Sequence, residues 1–114
     1  MTTTDGPDGT DTPVLDTLAA MTAVSIEGCE LDARELMIAR IAALVAADAP
    51  PMSYVLNAGA AADSGVTLDD VQSIFIGIAP VVGGPRIVAA AGNILRGLGF
   101  AVAVADAELS EANA

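Results

Sequence analysis

Three interruptions constrain what this chain can fold into: Asp48-Ala49-Pro50-Pro51, Asp63-Ser64-Gly65, and the segment from Pro80 through Gly83-Gly84-Pro85. Around them the apolar residues return at the three-and-four spacing of a helix. Proline removes a backbone donor and holds the residue before it extended, while glycine adopts the left-handed conformation that ends helices. The interruptions therefore read as helix boundaries, and the chain as all-α, a compact bundle of about five helices.

The first helix opens at Thr12-Pro13, an N-cap followed by proline at the first helical position, and runs to about Ser25. Asp32 and Glu35 carry the spacing of a capping box at the head of a second helix. Behind them Met37, Ile41, Leu44 and Val45, with Ile38 beside, form one apolar stripe. The third helix begins at Pro51 or Met52, with Met52, Val55, Leu56, Gly59 and Ala62 on one side, and Gly65 ends it. Thr67 and Asp70 cap the fourth, whose stripe is Leu68, Val71, Ile74, Phe75 and Ile78. Pro80 closes that helix, Gly83-Gly84 turn the chain, and Pro85 opens a fifth with Ile87, Val88, Ala91, Ile94, Leu95 and Leu98. Its end, FAVAVA, fits either a last helical turn or a short extended segment. Gly59, Gly77 and Gly92 fall inside helices, where a close crossing of backbones or a cavity wall would account for them.

At 114 residues the chain is one domain on size grounds. Residues 1–12 are an acidic leader expected to be disordered, residues 13–104 the helical domain, and residues 105–114 an acidic tail. Alanine is the commonest residue of the apolar half of the sequence, with Tyr54, Phe75 and Phe100 its only aromatics. Alanine favours helix but adds little burial per residue, so such a core gains by burying more surface against copies of itself. A homo-oligomer is expected. The apolar runs, such as 41–47, are too short to cross a bilayer.

A formal charge of −11, with four arginines and no lysine or histidine, excludes phosphate-backbone binding and anionic membrane surfaces. The single cysteine, Cys29, provides neither an intrachain disulfide nor a CxxC pair. It reads as an ordinary small apolar residue in a protein of the reducing cytoplasm. No cofactor and no metal is expected. The alanine-rich, lysine-free composition suits a GC-rich bacterial genome.

The stretch A-x3-G-V-T-x2-D (Ala61, Gly65, Val66, Thr67, Asp70) is followed by the block APVVGGPR and then by A-A-x-N-I. Together, from about Leu31 to Leu98, these resemble the carboxymuconolactone decarboxylase family, which includes the alkylhydroperoxidase D-like proteins. The resemblance implies helical subunits that associate as trimers or hexamers. In peroxidase-type members C-x2-C-x3-H begins the third helix: one thiolate attacks peroxide, the second resolves the product, and the histidine assists proton transfer. Lactone-decarboxylating members keep a histidine in that neighbourhood. Aligned on Ala61 and Gly65, those three positions are Pro50, Ser53 and Asn57 in this chain. A dithiol cycle needs a second sulfur, and an amide does not titrate near neutrality.

Two functional readings follow. In one, the chain acts without redox chemistry on a small carbonyl or carboxylate compound, as a decarboxylase- or isomerase-like lyase. Tyr54, Asn57, Ser53 and Glu35 are then the catalytic candidates, and Arg86 at the start of the fifth helix pairs with a substrate carboxylate. Each has a structural alternative: Glu35 in the capping box, Tyr54 at a subunit contact, Arg86 beside one of fifteen acidic side chains. In the other reading the chain is a non-catalytic oligomeric module. Family-type alkylhydroperoxidase activity, a peroxiredoxin-like antioxidant role, is the remaining alternative.

Overall fold

The computed structural model describes residues 12–112, which are all-α. Five helices follow one another: α1 (Pro13–Gly28), α2 (Ala33–Ala46), α3 (Pro51–Asp63), α4 (Leu68–Val82) and α5 (Gly84–Ala112). The chain divides into two units, one up to Glu30 and one from Leu31 onward. Apart from Thr12, the expected leader lies outside the described residues.

The first unit contributes α1. Thr12 occupies its N-cap position with proline next, yet the Thr12 hydroxyl bonds no backbone amide and instead donates to the Asp16 carboxylate at 3.3 Å. The helix runs three residues past the expected Ser25, to Gly28. Cys29 follows in extended conformation, half-buried and with a free thiol.

In the second unit the local signals act as the sequence reading expects. Asp32 accepts from the Glu35 amide at 2.8 Å while Glu35 accepts from the Asp32 amide at 3.1 Å, the reciprocal capping box that starts α2. Thr67 and Asp70 repeat the device at the start of α4. Helices α2 and α3 end with the same pair of closing bonds. Val66 and Gly65 amides donate to Ala61 and Ala62 carbonyls after α3, and Ala49 and Asp48 amides to Leu44 and Val45 carbonyls after α2. The left-handed residue is Gly65 (φ 83°) in one case and Asp48 (φ 56°) in the other. An aspartate tolerates that conformation better than most side chains.

Two boundaries differ from expectation. Pro80 lies inside α4, which continues to Val82. Proline deletes only its own N–H bond, and the Gly83 amide still donates to the Ala79 carbonyl at 2.9 Å. The true terminator is Gly83, whose φ 87°, ψ 156° is closed to other residues, and whose carbonyl then receives the Ile87 amide of α5. At the other end, FAVAVA is helical and so is most of the segment set apart as an acidic tail, because α5 extends to Ala112.

Helix α3 packs on α5, α2 on both α3 and α4, and α5 closes against α2 and α4. The core between them is Met37, Ile41 and Val45 of α2, Tyr54 of α3, Ile74 of α4 and Ala90 of α5, with Val45 wholly enclosed. Among the described glycines, Gly97 is the one set tightly against another helix. A Cβ there would meet the Pro51 carbonyl oxygen at 2.9 Å and Val55 Cγ2 at 3.2 Å. The three glycines expected at such crossings lack this role within the chain: Gly59 and Gly77 have open space, and Gly92 faces only the Arg96 guanidinium.

The apolar face expected for α3 is split, with Val55 packed toward Gly97 and, like Ala62, lining the cavity described below. Tyr54 points into the core, whereas Met52 (48% exposed), Leu56 (72%) and Gly59 lie on the outer side. At 100° per residue Leu56 stands nearly opposite Tyr54 and Ala61. The inward side carries Tyr54, Val55 and Asn57 among alanines, a mixture that a periodicity read from large apolar side chains separates only in part.

Candidate functional site

The end of α2 and the first turns of α3 place the residues singled out from sequence. The Asp48 cap reverses the chain, Pro50 holds it extended (φ −70°, ψ 165°), and Pro51 starts α3 at the next residue. Tyr54 and Asn57 follow on the inner side of that helix. Both line a cavity of about 240 Å³, walled by Ile41 and Leu44 of α2, Val71 of α4 and Ile94 of α5, and floored by the alanines of α3.

Tyr54 is 8% exposed, and its hydroxyl is the one buried side-chain polar atom without a hydrogen-bond partner among the described residues. Burial raises its pKa above the ordinary tyrosine value, and the nearby Asp48 carboxylate adds to the shift. The Asn57 side-chain amide donates to the Ser53 carbonyl at 2.8 Å, one turn back on its own helix. That bond uses a proton donor otherwise available to a ligand.

The remaining candidates lie elsewhere. Glu35 is exposed and serves as the second half of the α2 capping box, the structural alternative weighed for it above. Arg86, the third residue of α5, stands 3.8 Å from the Asp48 carboxylate and does not line the cavity. Its charge already faces a carboxylate of the same chain. The structure thus brings Tyr54 and Asn57 together and leaves Glu35 and Arg86 apart from them.

Two residues that matter here escaped the sequence reading. Asn93 of α5 donates to the Ala49 carbonyl at 3.2 Å and accepts from Arg96 at 2.6 Å, so it ties α5 to the bend that precedes Tyr54. Arg34 of α2 reaches across to Asp70 of α4 and the Gly65 carbonyl, fixing the other end of the cavity. Asn93 sits in the A-A-x-N-I block, whose asparagine was the available signal. Nothing in the sequence pairs Arg34 with Asp70 across 36 positions.

No group of three metal-ligating side chains exists among the described residues, and no single helix there is long and apolar enough to cross a membrane. No family model, curated protein or solved structure matches the chain.

Proposed function

We propose that this chain is a self-associating helical module of carboxymuconolactone decarboxylase type whose redox site has been replaced, and that it works by binding rather than by catalysis. The observation that carries this reading is the two-sided apolar character of α3. Its inner face closes on α5, and its outer face presents Met52, Leu56 and Gly59 bare in a single chain. A helix that is apolar all round calls for burial on both sides. On α5, Val88 (73% exposed) and Leu95 (70%) add a second outward stripe at seven-residue spacing. A second copy of the chain is the natural occupant, and a trimer or hexamer accords with the resemblance from Leu31 to Leu98.

The non-catalytic part rests on how the candidate groups are used. Pro50, Ser53 and Asn57 provide no thiol and no imidazole. Glu35 is engaged in a helix cap and Arg86 faces Asp48, so the groups suited to acid–base work or carboxylate binding are occupied away from the cavity. A hydroperoxide turnover assay with a dithiol reductant tests the assignment. The expected result is no turnover above the buffer control, for both the natural chain and Cys29→Ser. Clear turnover that Cys29→Ser abolishes would restore the peroxidase alternative.

A further inference from the structure

We propose that α1 is an exchanged arm: its apolar side in one copy lies along the outer face of α3 in the next copy. This rests on the self-association reading above and names the segment that covers Met52, Leu56 and Gly59. No residue of α1 is buried in a single chain. Val14, Leu15, Leu18, Met21, Val24 and Ile26 stand 51–70% exposed. At 100° per residue they fall within an arc of about 200°, with Thr17, Thr22 and Ser25 between them. The Asp16 and Glu27 carboxylates lie on the opposite side, so covering the arc takes no charge out of water.

Symmetry and area choose the occupant. A face that meets its own copy makes a two-fold dimer, whereas a ring of three needs two different surfaces that fit each other. The outer face of α3 supplies one, and the arc of α1 the other. Burying one large aliphatic side chain takes on the order of 100 Å² from water, so the six bring roughly 400 Å². That is about half of what each partner of a stable interface buries. In the receiving face Gly59 has open space around it, which lets a second helix approach closely. A membrane surface does not fit, because α1 has no lysine or arginine and the chain carries a formal charge of −11.

The test uses full-length variants. Leu18→Glu, near the middle of the arc, should weaken assembly about tenfold or more in sedimentation equilibrium. Ala23→Glu, on the opposite side of the same helix, should leave assembly unchanged. Leu18→Glu keeps a sound α3 face and Leu56→Glu keeps a sound arm, so the two variants should complement each other. Methyl NMR spectra of labelled Leu18→Glu titrated with unlabelled Leu56→Glu should show saturable shifts at Met52 and Leu56. Titration with unlabelled Leu18→Glu should show none. Assembly of Leu18→Glu equal to that of the natural chain, or no shift in the mixed titration, overturns the proposal and leaves self-association standing. A dimer retained by Leu56→Glu overturns it too, because α1 would then pair with α1. So do displaced core methyls of Ile41, Val45 and Ile74 in Leu18→Glu, which would place α1 on its own chain's core. A monomeric natural chain overturns both readings.

Discussion

Arg34 grips Asp70 with both guanidinium nitrogens, at 2.7 and 2.8 Å, and the same arginine donates to the Gly65 carbonyl at 3.1 Å. One side chain of α2 thereby fixes the cap of α4 and the end of α3. The fork-to-fork geometry is the strong form of this pair. Asp70 also accepts from the Thr67 amide and hydroxyl, at 2.8 and 3.0 Å. The Arg34 hydrogen bond first, and the Thr67 amide second, hold the Asp70 carboxyl well below the usual carboxylate range.

The pH dependence follows from that direction. A carboxylate whose folded pKa is depressed stabilises the fold fully above its unfolded value, near 3.8, and the contribution is lost as pH falls below it. Urea midpoints should therefore fall on acidification from pH 6 to 3 (about that range) more steeply in the natural chain than in Asp70→Asn. Equal slopes would contradict the pairing. Thr67→Ala removes the cap hydroxyl alone and should cost about 1 kcal/mol at neutral pH.

Gly97 and the outward glycines should respond oppositely to alanine. At Gly97 the new Cβ would lie 2.9 Å from a backbone oxygen, so α3 and α5 must separate. Overpacking of this kind costs about 1–3 kcal/mol and outweighs the gain in helix propensity. Gly59→Ala and Gly77→Ala meet nothing within 4 Å in one chain and should stabilise it by about 0.5–1 kcal/mol. Denaturant titration of the dissociated chain measures these. A loss at Gly59 that appears only in the assembled protein would place a neighbouring helix there.

Tyr54 is the only tyrosine and there is no tryptophan, so tyrosinate absorbance reports this one residue. In the folded protein it should ionise above the ordinary value of 10.0. In concentrated urea it should return to about 10. Between those two values the unfolded chain has released a proton that the folded chain keeps, so stability falls as pH rises through the window. Asp48→Asn removes the smaller cause and should reduce the shift without abolishing it, because burial comes first. A folded-state value equal to that in urea would contradict the buried placement of Tyr54.

Much of the fold was legible because its signals are local. Both capping boxes, Pro51 as the start of α3 and the left-handed Gly65 follow from residues within three or four positions of one another. The stop after α4 was misassigned because a proline near a helix end removes one bond only, whereas Gly83 has a backbone that nothing else adopts. The orientation of α3 was not legible. Met52 and Leu56 turn outward while Tyr54 and Val55 turn inward among alanines, so the apolar pattern alone does not choose the buried side. The site was half legible: Tyr54 and Asn57 do share the cavity, while Glu35 and Arg86 are drawn off by nearer partners. Asn93 and Arg34, which hold the cavity from both ends, act over 44 and 36 positions. Such contacts exist only once the helices have packed.

The outer face of α3 gives the most direct test of the central claim. Sedimentation equilibrium on the natural chain should return a trimer or hexamer of the 11.3 kDa subunit. Leu56→Glu, which places a charge in the middle of that face and leaves the inner one untouched, should shift the population to monomer with its helical circular dichroism retained. A natural chain that sediments as a monomer at every accessible concentration would contradict the account.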